Sequence, residues 1–330
     1  LEDLTTTAGV IKLVAEGGTI TINPGTANTA GVSAGGANDV LLEARGGSSD
    51  VIVNADVVSG GGHITLDAGD DANIGDVLTT SGTGTVYVLA ATDIDVDAVI
   101  TSISGDVLIE AGDDIRQTAL ITSTAGDVGL IAAVNVDQSI TGDITTTTGD
   151  VLVQATAGTW TMDGGATITA GGQDVLGMAG TNIVLGVISV TDGTANRVAL
   201  QAIAGSITDA NAGSINIEET MAVAATSLSL RAGTIIGGTG GATATVNDNA
   251  IDLNVDTVAA TSANGIYLRE LATGGPIEVN TAAAVSIDIE GVLRSDFNSG
   301  TTDVSEDRSL ALLEDLTTTA GVIKLVAEGG

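Results

Sequence analysis

An aliphatic residue, a second two positions later and an alanine two further on recur along this chain, with turn-forming residues between the recurrences. The triads are Ile11-Leu13-Ala15, Val40-Leu42-Ala44, Ile64-Leu66-Ala68, Val86-Val88-Ala90, Val107-Ile109-Ala111, Val128-Leu130-Ala132, Val151-Val153-Ala155, Val198-Leu200-Ala202 and Leu228-Leu230-Ala232. Weaker versions begin at Val175, Ile251, Ile266 and Val285. Alternate residues of a strand point to one side, so each triad predicts a short strand with one face committed to a core. A turn precedes each, often Gly-Asp, as at Gly105-Asp106, Gly126-Asp127 and Gly149-Asp150. Polar turn residues between aliphatic runs are what strands joined by tight bends require.

A longer period contains the short one. The opening segment Leu1 to Gly18, LEDLTTTAGVIKLVAEGG, returns unchanged at Leu313 to Gly330, an offset of 313 − 1 = 312. An unchanged match of that length predicts one unit over 1–312 and the start of the next tandem copy over 313–330. Triad starts from Ile11 to Ile323 are unevenly spaced, and their mean separation is 312/13 = 24. A turn of that length has no second layer of its own, and stacking on its neighbours supplies one. The expectation is an all-β, right-handed parallel β-solenoid with about 13 rungs of ~24 residues per unit, each rung three short strands joined by bends. At ~4.8 Å per rung a unit would advance roughly 62 Å. A string of immunoglobulin-like sandwiches is the competing architecture. Such domains bury a large aromatic in every ~100 residues, whereas Trp160 is the only tryptophan and the turns come too often.

Two stretches interrupt the pattern and are expected to leave the coil as loops. Asn23 to Asn38 contains Pro24 and paired glycines, which disfavour regular pairing. Gly291 to Leu310 concentrates polar residues around the single phenylalanine, Phe297, and is the first place to look for a specialised surface.

Composition removes several functions. Hydrophobic residues make up 43% of the chain, yet Tyr87, Trp160, Tyr267 and Phe297 are its only aromatics, so the core is aliphatic. Glycine is abundant at 46 and proline scarce at 2. The formal charge is −33, with lysine only at Lys12 and Lys324, which excludes a nucleic-acid partner because phosphate binding needs clustered basic residues. Cysteine is absent, so there are no disulfides, thiol nucleophiles or zinc-thiolate sites. No apolar run approaches the ~20 residues that cross a bilayer, and no basic-then-apolar leader opens this stretch.

The phrases GDVLIEAGDDI, GDVGLIAAVNV, GDVLVQATAGT and NRVALQAIAGSI resemble the rungs of filamentous-haemagglutinin-like exoproteins, and more broadly the strand-repeat regions of giant bacterial surface proteins. The resemblance runs from about Gly9 to Ala232 and carries a fold signature with no functional residue in it. It implies secretion across the envelope and a rod displayed at the cell surface or shed as a filament. The family's N-terminal secretion domain is not in this sequence.

Candidate chemistry is sparse. His63 is the only histidine, and GGHITLDAG places it at a turn before a strand. The pairs Asp70-Asp71 and Asp113-Asp114 offer carboxylates for glycoside hydrolysis, but the sugar-stacking aromatics and basic groove residues such enzymes use are scarce. Leu66 to Asp76 and Glu110 to Ile115 look superficially like calcium-binding nonapeptides, though the GGxGxDxUx phrase never repeats. Asp70, Asp71, Asp76, Asp113 and Asp114 are therefore candidate metal ligands at acidic turns, with calcium as the ion and no cofactor required. The expectation is a non-enzymatic structural or adhesive module of a secreted, extracellular fibre, filament or sheath. Its partners would be neighbouring copies of itself, end to end and laterally, and a cell-surface glycan. The alternative is a β-helical protein that binds or cleaves polysaccharide.

Overall fold

The computed structural model describes residues 1–26, 30–171, 174–191, 196–220, 226–238 and 249–270, together with the backbone of strands at 278–279, 285–294, 304–312, 317–318 and 322–327. All regular structure among them is β, and the strands of the coil pair in parallel. Two compact units are resolved: Leu1–Ala133 with Ile144–Gly149 and Asp288–Arg308, and Val134–Asp143 with Asp150–Ile287 and Ser309–Gly330.

In the first unit a rung consists of one longer strand and two short ones. Ile64–Ala68 is followed by Ala72–Ile74 and Leu78–Thr80, and the path then returns to Val86–Ala90 directly beneath the first. Register is strict, with Ile64 opposite Val86, Leu66 opposite Val88 and Ala68 opposite Ala90, and then Val107, Ile109 and Ala111 in the next rung. The short strands stack likewise, Ala72 on Ile94 and Ile94 on Ile115, Leu78 on Ile100 and Ile100 on Ile121. The triads of these rungs thus become vertical aliphatic ladders, every member buried. This is the parallel β-solenoid the period demands, with three strands per rung.

The second unit repeats the scheme in Val151–Ala155, Val175–Ala179, Arg197–Ala202, Ser227–Ala232 and Thr257–Ser262, all parallel and in register. Here the sequence reading needs correction. The triads starting at Ile251 and Ile266 do not lie in the long-strand sheet: Ile251–Asn254 pairs with Ile217–Glu219, and Gly265–Glu270 with Ile235–Ile236, both in the short-strand sheet. The long strand of that rung is Thr257–Ser262, built on Val258, Ala260 and Ser262. Alternating aliphatics mark any inward-facing strand and do not by themselves say which sheet it joins; the triad Ile323-Leu325-Ala327 likewise pairs in the short-strand sheet. Val285–Arg294 and Val304–Leu312 form a separate two-stranded sheet, so the stretch from Gly291 onward is partly extended, while Phe297 lies outside the described residues. The other expected loop is also corrected: within Asn23 to Asn38, Ala30–Ala34 is a strand paired with both Leu4–Thr6 and Asp56–Ser59. Val32 and Ala34 supply its inward face, which outweighs the glycines around it. In the second copy of the opening segment Val322–Ala327 is extended too, parallel to Gly265–Glu270.

One irregularity in the ladder has a volume explanation. Gly177 occupies the central triad position of its strand, where neighbouring rungs carry Val153 and Leu200, and a Cβ there would lie 2.2 Å from Cζ3 of Trp160. Trp160 stands on a short strand in place of the Ile or Val of its neighbours, fully buried, with Nε1 donating to Oε1 of Gln138 at 2.8 Å. The indole fills what the glycine vacates, so interior volume is conserved.

Candidate functional site

The corners carry polar side chains, and three columns of them recur from rung to rung. Where the path enters the long strand, Ser102 and Ser123 each donate to a glycine carbonyl of the preceding rung, Gly84 at 2.9 Å and Gly105 at 3.0 Å, and accept the N–H of Gly105 and Gly126 respectively. A Cβ on Gly105 would lie 2.2 Å from the carbonyl oxygen of Gly84, and one on Gly149 2.0 Å from that of Gly126, so this corner must be glycine for rungs to close on one another.

The residue after that glycine forms the second column. Asp39 accepts the N–H of His63 at 2.8 Å, and Asp106 that of Asp127 at 2.8 Å. In the second unit Asp150 accepts from Asp174 and Asp174 from Arg197. Each carboxylate satisfies a backbone donor that the bend removes from the strand ladder. Burial pushes the Asp106 carboxyl above its ordinary pKa, against the opposing pull of the Asp127 amide. His63 belongs to this column: its Nδ1 accepts the Thr85 N–H at 3.1 Å and sits 2.8 Å from the Thr85 hydroxyl. The single histidine stands in for an aspartate.

The third column lies where the long strand turns into the first short one, and it gathers four of the five aspartates singled out above. Asp71 accepts the N–H of Asp93 at 3.1 Å, Asp93 that of Asp114 at 3.0 Å, and Asp70 the hydroxyl of Thr92 at 2.8 Å. Asp93, Asp113 and Asp114 bring one carboxylate oxygen each within 4.8 Å of one another. A search for adjacent carboxylate pairs passes over Asp93. The near-even series Asp50, Asp71, Asp93 and Asp114, one aspartate per rung, is the signal that finds it. Asp76 lies apart, in the turn between the two short strands, where it faces Asp56 of the preceding rung. Burial, with the Asp76 carboxyl second, raises the pKa of Asp56.

The acidic trio can attract a hard cation, but it already faces one. Arg116 pairs with Asp95 at 2.7 Å and approaches Asp93 at 4.0 Å, and the attraction of Asp95, Asp93 and Asp114 raises its own pKa against the cost of burial. With Asp71 and Asp93 accepting backbone amides and Asp113 exposed, the arrangement is that of a solvated corner carrying part of the net charge.

A second group, in the second unit, has no counterpart in the sequence reading. Asp252 is fully buried and paired through both carboxylate oxygens to the guanidinium of Arg269, which also donates to the Gly213 carbonyl at 3.2 Å. Asn216 exchanges backbone and side-chain hydrogen bonds with Asp252. Next in the chain, Glu270 is 5% exposed and neither carboxylate oxygen has a hydrogen-bond partner among the described residues. Burial, and to a lesser extent the charge of Asp256, raises its pKa to about 7. Burial, with the Asp256 carboxyl adding to it and Thr226 opposing, also raises the pKa of Glu219. These residues fall in the rungs whose register the triads misassign, so nothing in the linear pattern announces that they face inward.

Tyr87 and Trp160 are buried and Tyr267 is half-buried. Among the described residues no helix is long and apolar enough to cross a membrane. No family model, no curated protein and no solved structure matches this chain.

Proposed function

We propose that the chain is a structural module of an extracellular fibre, in which stacked rungs supply length and stiffness and whole-unit duplication extends them. The observation that carries this reading is the unchanged return of the segment Leu1–Gly18 at Leu313–Gly330, set against a coil whose every rung is a template for the next. Copying a unit lengthens a stack, and it adds little to a catalyst. The polar residues support the same reading: hydroxyls, aspartates and the single histidine at the corners are engaged in joining one rung to the next, which is what a load-carrying stack needs from them. The resemblance of the rung phrases to filamentous-haemagglutinin-like exoproteins supports display outside the cell. Neighbouring copies, meeting end to end, are the partners that this reading requires.

Negative-stain imaging of the 330-residue chain beside a chain carrying two successive whole units tests it. Threads of constant width, longer by roughly 60 Å for the added unit, are the expected result. Beads separated by flexible joints would overturn it.

A further inference from the structure

We propose that Glu219, Asp256 and Glu270, at one corner of the second unit, form a binding site for a calcium ion. This inference stands independently of the fibre reading and involves none of the aspartates that the acidic turns suggest.

Stacking brings the three carboxylates to one corner. Ile217–Glu219, Ile251–Asn254 and Gly265–Glu270 run side by side in parallel, with Ile217 opposite Leu253 and Leu253 opposite Glu270. Glu219 and Glu270 each end their strand, and Asp256 follows closely on the end of the strand between them. All three therefore stand where the path leaves the short-strand sheet, in successive rungs about 4.8 Å apart. Asp256 is fixed there by the Thr226 N–H, which donates to its Oδ2 at 3.2 Å.

This corner has more acceptors than donors. Ile266, Leu268 and Glu270 alternate along one face of their strand, so Glu270 enters the interior beside Leu253. It is 5% exposed, and neither of its carboxylate oxygens has a hydrogen-bond partner among the described residues; Oε1 of Glu219 is likewise buried and unpartnered. A buried carboxylate persists only when it is protonated, paired with a cation or bound to a metal. Arg269, next in the chain, points to the opposite face of the strand, where Asp252 and the Gly213 carbonyl engage its guanidinium. An ion from solution can take the vacant role, and Glu219 and Asp256, both half-buried, leave it a way in. Asp93, Asp113 and Asp114 are gathered more tightly, but Arg116 faces them and Asp93 is engaged by the Asp114 amide.

The donors select the ion. Carboxylate oxygens without imidazole or thiolate suit calcium or magnesium better than zinc. Magnesium demands near-ideal octahedral positions at about 2.1 Å, which ligands drawn from three rungs are poorly placed to supply, whereas calcium accepts irregular sets of oxygens at about 2.3–2.6 Å. Rotation of the two glutamate side chains closes the carboxylates on the ion, and water completes the shell.

Calorimetric titration of the EDTA-treated 330-residue chain with calcium chloride at fixed ionic strength is the test. The expected result is one saturable site, about tenfold tighter at pH 8 than at pH 6 because the ion displaces a proton from a carboxyl that titrates at about 7. Saturating calcium should raise the melting temperature by about 4 °C over magnesium at the same concentration. Glu270→Gln should weaken binding at least about tenfold, and Glu219→Gln repeats the measurement at a second ligand should Glu270→Gln fold poorly. Asp113→Asn combined with Asp114→Asn should leave the affinity unchanged. The proposal is overturned if no saturable site appears, if magnesium stabilises as well as calcium, if the glutamine variants bind like the parent, or if the Asp113 and Asp114 substitutions abolish binding.

Discussion

Trp160 and Gly177 make one packing decision with two residues, and the energetics of that decision are measurable. Gly177→Leu places a side chain where the indole sits, 2.2 Å from the position of the first added carbon, and the buried ring has nowhere to go. Trp160→Ile leaves a void where the six-membered ring was. Each single substitution should cost about 2–4 kcal/mol in urea unfolding. The double variant restores the pattern of neighbouring rungs, an aliphatic on the short strand and an aliphatic at the centre of the triad. It should recover more than half of the summed loss, and additive losses would show that the two residues do not share one cavity. No periodicity argument finds such a pair, because the contact depends on which strands face each other across the coil. The weak triad at Val175 is visible in the sequence as a gap; its filler, Trp160 on an earlier strand, is not.

At the scale of the strand and its corner, the sequence is informative in one respect and misleading in another. Recurring aliphatic triads lead directly to the long strands as far as Ala232, since burial of alternate residues is all that a ladder requires. The acidic turns are visible too, but they suggest ion binding, and the structure uses Asp39, Asp71, Asp93, Asp106 and Asp150 to hold backbone amides of the next rung. The two meanings are indistinguishable in one dimension, because both need a carboxylate at a bend. They separate only when the spacing is compared with the rung length. His63 offers the sharpest test of the structural meaning. His63→Asp supplies the oxygen acceptor that the column uses elsewhere and should leave the melting temperature within about 1 °C of the parent. His63→Ala strands the Thr85 amide and should cost about 1–2 kcal/mol, roughly 1.5–3 °C for a chain of this length. Equal melting temperatures for the Asp and Ala variants would remove the histidine from the column.

For the molecule as a whole, charge sets the dependence on pH. A formal charge of −33 stacked at rung spacing repels itself, and Glu270 adds a specific component. Its folded-state pKa of about 7 lies above the ordinary 4.5, so the fold binds this proton more tightly than the unfolded chain does. The associated stability is fully present below pH ~4.5 and is lost as pH rises through 7. Unfolding free energy should therefore fall by about 2 kcal/mol between pH 5 and pH 8 on account of this residue. Glu270→Gln, which keeps the shape and removes the charge, should flatten that interval and be the more stable protein at pH 8. A wild-type profile already flat there, or an unchanged slope in the variant, would show that the carboxyl is solvated. The equal rungs beginning at Val86, Val107 and Val128 carry a further consequence, for inheritance. Excising Val107 to Asp127 would join Asp106 to Val128 and leave the glycine, the hydroxyl and the carboxylate of that corner each above its proper successor. A gene that slips by one such turn encodes a shorter coil with no scar in it, so its length can drift in single steps while its surface chemistry stays the same.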